Sequence, residues 1–246
     1  MAEIAIHNVR DLGEDARRAL EALLGRQLAE EEQVGVTALA ARPAPTGDAR
    51  RIAAERLSET LKEMSNRADH VPDDELESLI DWGPARRPSA TRLMRIVLDT
   101  NILVRAAADE QGLAGRLLVE IISGPHILVI SPYILSEIAR VLAYPRLQAR
   151  WELNEKTIME FVGRVGDVAE IVLTTTPDRV VSAGPDDDPI VQTAVLGGAD
   201  FLCTRDAHLL QAAAVEYCAG RGIKITNDID LYHVLTGRPI GGRAQQ

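Results

Sequence analysis

Four carboxylates stand at the joints of one alternating sequence pattern, at the end of an apolar run or in the first turn of the helix after it. Asp99 follows Ile96–Leu98 in MRIVLDTNILVR, and Glu137 lies one turn inside a helix that starts at Pro132, directly after ILVIS. Asp188, in GPDDDPI, opens the run IVQTAVLGG, and Asp206, in CTRD, follows FLC. Carboxylates brought together repel and raise one another's pKa unless positive charge lies between them. Mg²⁺ or Mn²⁺ suits such a cluster, being a hard ion that takes oxygen ligands and keeps some of its water. One such ion with a polarised water, or a pair of ions, can attack a phosphodiester and stabilise the leaving oxygen. Asn101 and Thr204 are each two residues from an acid, placed to hold water or orient a carboxylate. Arg205, beside Asp206, is a candidate phosphate contact.

Taken singly, each acid has a plainer reading. An Asp after a strand commonly caps a helix or makes a turn. Asp186-Asp187-Asp188 alone reads as a solvated turn, and Glu137 alone reads as the partner of Arg140 on its own helix. Asp187 competes with Asp188, which is preferred because it opens the helix. The combination of all four in one alternating pattern outweighs the separate readings.

That pattern is an alternation of strands and helices from Met94 onward. Strands are expected at 95–98, 127–131, 169–173, 201–204 and 223–226, with helices at 102–108, 114–123, 132–143, 155–165, 188–196 and 207–219. Such alternation predicts an α/β fold, a parallel sheet flanked by helices on both faces. Strands of a parallel sheet direct their carboxyl ends to one edge, where open α/β sheets hold their chemistry, so the four acids are expected to converge there.

Residues 1–88 have a different texture, that of a small α+β module with extended amphipathic helices. Residues 3–9 and 33–39 read as strands, and Gly13–Leu24 as a helix with a stripe at Ala16, Leu20, Leu23 and Leu24. Ala41–Asp48 is a linker by its prolines and glycine. A second helix from Asp48 or Ala49 carries Ile52, Leu57, Leu61 and Met64 on one face, and a third from Pro72 carries Leu76, Leu79, Ile80 and Trp82. These two helices are expected to seek a partner surface, as in helix-in-groove binding. The boundaries expected are 1–42 for the small module, 43–88 for linker and wrapping helices, 94–236 for the α/β domain and 237–246 for a tail.

Composition narrows the function classes. Net charge is −10, shared as 18 acidic and 12 basic residues over 1–88 and 19 and 15 over 89–246. That balance opposes broad electrostatic binding of nucleic acid, unless a cation bridges carboxylates and phosphate. Aromatic residues make up only 3%, so the core must be aliphatic. Cys203 and Cys218 are too few for a disulfide framework and lack zinc spacing. Without a signal-like segment or a long apolar run, a soluble cytoplasmic protein that avoids membranes is expected.

The blocks IVLDTNILVRA, SPYILSEIARVLAYPR and PDDDPIVQTAVLGGADFLCTRDAHLL resemble the motif blocks of the PIN domain family, in particular the toxin branch of VapBC-type (type II) toxin–antitoxin systems. The resemblance covers residues 94–236, with all blocks in order. It implies a PIN-like fold and a Mg²⁺- or Mn²⁺-dependent ribonuclease acting on RNA. Asp99, Glu137, Asp188 and Asp206 would be its catalytic, metal-holding acids, and Asn101 and Thr204 their polar helpers.

Residues 1–88 resemble in layout an antitoxin, a small head followed by segments able to wrap a toxin. On that reading two proteins have become one chain, Met94 marks the start of the second, and the antitoxin-like segment acts in cis. The helix around Leu57, Leu61 and Met64, and the segment 76–82 with Leu76, Leu79 and Trp82, would be its anchors, with Trp82 the main one, and Arg86 or Arg87 would compete with metal for the carboxylates. The alternative is that residues 49–88 complete a larger core. The strand and helix carrying Arg17 and Arg18 faintly resemble a ribbon-helix-helix unit, but a −6 balance and the lack of a basic stripe count against DNA binding, which stays open. Apolar helices favour a homo-oligomer.

A second reading makes the chain a regulatory toxin–antitoxin assembly protein with an occluded site, acting by binding partners or DNA. A third, an aspartyl phosphatase, needs an Asp-x-Asp pair after the first strand, and Asp99-Thr100-Asn101 lacks it.

Overall fold

The computed structural model describes residues 4–68, 93–174 and 188–237. The expected helix from Pro72, the anchors Leu76, Leu79 and Trp82, Arg86, Arg87, Asp186, Asp187 and nearly all of the 237–246 tail lie outside the described residues. The chain divides into two compact units, Met1–Leu39 and Ala40–Gln246.

In the first unit, β1 (Ile4–Asn8) pairs antiparallel with β2 (Gln33–Thr37). Between them α1 (Glu14–Leu24) ends at Gly25, whose φ of 66° is a left-handed value that glycine adopts without strain. The Glu21 carboxylate accepts from the Leu28 amide at 2.9 Å, and the Arg17 guanidinium donates to the Leu28 carbonyl. Val9 and Leu28 are buried. The expected stripe on α1 is not a buried face: Leu23 is 83% and Leu24 52% exposed.

The second unit is an α/β structure whose parallel sheet has the order β5-β4-β3-β6-β7. Its strands are β3 (Arg95–Leu98), β4 (Ile127–Ile130), β5 (Glu170–Ile171), β6 (Phe201–Cys203) and β7 (Lys224–Thr226). From β3 the chain winds outward through β4 to β5, then returns to the other side of β3 for β6 and β7. The reversal makes the carboxyl end of β3 a topological switch point, where the crossovers part and leave a crevice. Ile96, Val97 and Leu98 are fully buried, as a central strand covered on both faces requires.

The helices are α3 (Thr100–Ala108), α4 (Leu113–Ser123), α5 (Pro132–Leu142), α6 (Pro145–Trp151), α7 (Glu155–Val168), α8 (Asp188–Leu196), α9 (Ala212–Ala219) and α10 (Asp228–Thr236). Two were not expected. α6 starts at Pro145, whose fixed φ suits a first turn, and α10 starts behind Asn227, whose side chain accepts from the Asp230 amide at 2.8 Å. The expected helix 207–219 begins only at Ala212, and the strand expected at 169–173 is paired only over two residues.

The second amphipathic helix of the N-terminal region, α2 (Gly47–Arg67), lies in this unit and packs against α7, α3 and α4. Leu57, Leu61 and Met64 are fully buried, each stabilising by about 1.5–3 kcal/mol. The surface that this apolar face sought is therefore supplied by the same chain. Arg50 fixes its first turns by donating to the carbonyls of Ile121, Gly124 and His126 at 3.1, 2.8 and 2.5 Å. The stretch read as a linker adds a contact of its own: Arg42 and Ile171 exchange backbone hydrogen bonds of 3.1 and 2.9 Å beside β5.

Candidate active site

Asp99 leaves β3 at the switch point and caps α3, so strand and helix together fix its backbone. Its amide donates to the Cys203 carbonyl at 2.9 Å, which ties it to β6, the strand that delivers Thr204 and Asp206. The side chain is only 4% exposed. Its Oδ2 accepts from Asn101 Nδ2 at 2.6 Å and from Thr204 Oγ1 at 2.5 Å. Thr204 Oγ1 in turn accepts from the Asp206 amide at 2.9 Å, and Asn101 Oδ1 accepts from the Arg205 amide at 3.4 Å. The sequence spacing that set Asn101 and Thr204 two residues from their acids thus becomes one hydrogen-bonded cluster across β3 and β6.

The electrostatics are uncompensated. Burial pushes the Asp99 carboxyl up, and the nearby Asp206 carboxylate adds to the rise. The Thr204 hydroxyl and the amides of Thr100 and Asn101 oppose it. Thr100 Oγ1, next in sequence, is buried with no hydrogen-bond partner among the described residues. Two acids, a hydroxyl and an amide, with Asp99 and Thr204 buried and Asn101 and Asp206 half-buried, form a hard oxygen donor set, and a small divalent cation would relieve the repulsion. The chemistry of these side chains fits such an ion.

The other two acids are placed differently. Asp188 is the first residue of α8 and only 2% exposed. The Thr193 hydroxyl on α8 donates to Ser131 Oγ at 2.7 Å, and Ser131 closes β4 and caps α5. This buried contact joins the helix of Asp188 to the same sheet edge. Gly197 permits the seating, because a Cβ there would overlap the Val129 side chain of β4. Glu137 lies on α5, held by Arg140 through paired bonds of 2.9 and 2.6 Å, with the Tyr144 hydroxyl accepting from Arg140 at 2.6 Å. Among the described residues, no three His, Cys, Asp or Glu side chains are gathered closely enough to hold an ion. Asp99 and Asp206 are brought together; Glu137 is occupied by its own arginine.

Three polar residues of this edge were missed by sequence reasoning. Ser131 was expected as the last residue of a strand and Thr193 lay inside an expected helix, and only their mutual hydrogen bond joins them at this edge. Asp228 is fully buried at the start of α10, where its carboxylate takes both Nε and Nη2 of Arg205 at 2.8 Å. Its signal was available: it follows the strand KIT as Asp206 follows FLC.

No helix among the described residues is long and apolar enough to cross a membrane. No curated protein matches the chain. Residues 95–208, which run from the first residue of β3 to two residues past Asp206, match the family model of the PIN domain, a family whose members are generally metal-dependent nucleases.

Proposed function

We propose that the chain is a metal-dependent endoribonuclease of the toxin type, hydrolysing RNA phosphodiesters under the restraint of its own antitoxin-like N-terminal segment. The observation that carries the nuclease reading is the buried Asp99 carboxylate at the switch point, with Asp206 close enough to raise its pKa. Asp99 and Asp206 would hold Mg²⁺ or Mn²⁺, with Glu137 and Asp188 completing the set. When bound, the ion supplies a polarised water and charge neutralisation at the phosphate. Thr204 and Asn101 hold Oδ2 of Asp99, so that its geometry does not reorganise during the reaction. Asp99 must be ionised to act, and Arg140 must yield Glu137 before that carboxylate can bind an ion.

The restraint reading rests on α2, which covers α7, α3 and α4, and on the apolar anchors Leu76, Leu79 and Trp82 further along the chain. The protein is proposed to work in the cytoplasm, with RNA as substrate and with self-association through its apolar faces.

The test is cleavage of single-stranded and structured RNAs by the full chain with Mg²⁺, Mn²⁺ or EDTA. Cleavage is expected with metal and not with EDTA, and Asp99→Asn is expected to abolish it. A combined Leu76→Ala, Leu79→Ala, Trp82→Ala variant is expected to cleave faster. Unchanged activity in Asp99→Asn would remove the site assignment, whereas unchanged activity in the triple variant would remove only the restraint.

A further inference from the structure

Arg205 stands between Thr204, which serves the Asp99 carboxylate, and Asp206, which repels it. A free surface arginine loses side-chain entropy whenever it binds something. This one is already fixed, through Nε and Nη2, by a carboxylate with no exposure, while its own side chain keeps 26%. Removing Asp228 from water is costly, and the paired guanidinium offsets that cost while holding Arg205 in one orientation.

The guanidinium geometry shows what the anchor leaves over. A guanidinium presents two edges for paired hydrogen bonds, one formed by Nε and Nη2 and the other by Nη1 and Nη2. Asp228 occupies the first. Nη1 makes no hydrogen bond to any described residue, so the second edge is the one left to a ligand. Phosphate oxygens match that fork, and the position lies one residue from Asp206.

We propose that Arg205 binds a backbone phosphate of the RNA through its Nη1–Nη2 edge, and that Asp228 is the positioning residue that orients it. This rests on the nuclease reading and adds to it the residue pair that sets substrate register beside the acids. Binding then depends on where the donors stand as well as on the charge of the arginine.

That dependence provides a test by sign. Affinity of the full chain for a fluorescein-labelled single-stranded RNA is measured by anisotropy in Ca²⁺ over a salt series, and single-turnover cleavage is measured in Mg²⁺. Arg205→Ala is expected to weaken binding about tenfold and to reduce the slope of log affinity against log salt by about 0.7. Asp228→Asn makes the protein less negative, so an arginine acting by charge alone would bind RNA more tightly in that variant. Positioning requires weaker binding instead, with the double variant no weaker than Arg205→Ala. Unchanged or tighter binding in Asp228→Asn overturns the proposal. If Asp228→Asn does not fold, Arg205→Ala decides, and an unchanged salt slope overturns it. Wild-type protein that neither binds nor cleaves RNA overturns the nuclease reading itself, whereas cleavage insensitive to both substitutions overturns this inference alone.

Discussion

At the residue scale, Asp99 is held in a state that favours its protonated form. A carboxyl raised in the folded protein stabilises the fold below its unfolded pKa, and that contribution is lost as pH rises through the folded value. Once ionised, Asp99 therefore works against the fold in the absence of metal. Asp99→Asn is expected to raise the thermal midpoint of metal-free protein, by on the order of 2–4 °C, in the same variant that loses activity. Calorimetric titration with Mn²⁺ is expected to show proton release and tighter binding as pH rises through the Asp99 pKa. Binding that is flat in pH would contradict the uncompensated pair. Asp99, Asn101, Thr204 and Asp206 were legible in the sequence because each stands a fixed step beyond a strand. The Arg140 clasp on Glu137 was legible only as the plainer reading of that residue, and it is what the structure contains. Asp228 escaped notice although the strand 223–226 was expected, because the helix that it opens, α10, was not.

At the element scale, the sheet was readable because buried parallel strands are written as continuous apolar runs. Helices α6 and α10 were not, since short helices depend on local caps and a packing surface more than on a long stripe. Nor could the sequence say what α2 covers: amphipathicity fixes a face but names no partner. That face lies against α7, α3 and α4, and Arg50 locks the start of the helix onto the carbonyls that end α4 and lead into β4. Arg50→Ala is expected to destabilise the protein by about 1.5–3 kcal/mol, since hydrogen bonds from a charged donor are lost and carbonyls are left unpaired. Chemical denaturation would read this directly. A loss well under 1 kcal/mol would mean that the apolar face alone holds α2.

At the scale of the whole molecule, boundaries were expected after residue 42 and before Met94; the compact units divide between Leu39 and Ala40, near the first of these, and α2 falls in the same unit as the sheet. A protein cut to residues 94–246 would lose α2 and expose the surface that Leu57, Leu61 and Met64 cover. A protein cut to residues 40–246 would keep it. The longer fragment is expected to melt cooperatively near the full chain's midpoint, and the shorter one to melt well below it or to aggregate. Equal midpoints would show that α2 adds nothing to the fold. The seating of α2 also has a consequence for turnover in the cell. A cover on the same backbone cannot be diluted away, and its local concentration is set by chain length instead of by expression. Two separate proteins part when one is degraded faster. Here a single peptide bond cut between α2 and β3 would convert a permanent part into a dissociable one, so protease action, not relative abundance, is the natural variable by which such a cover could be removed.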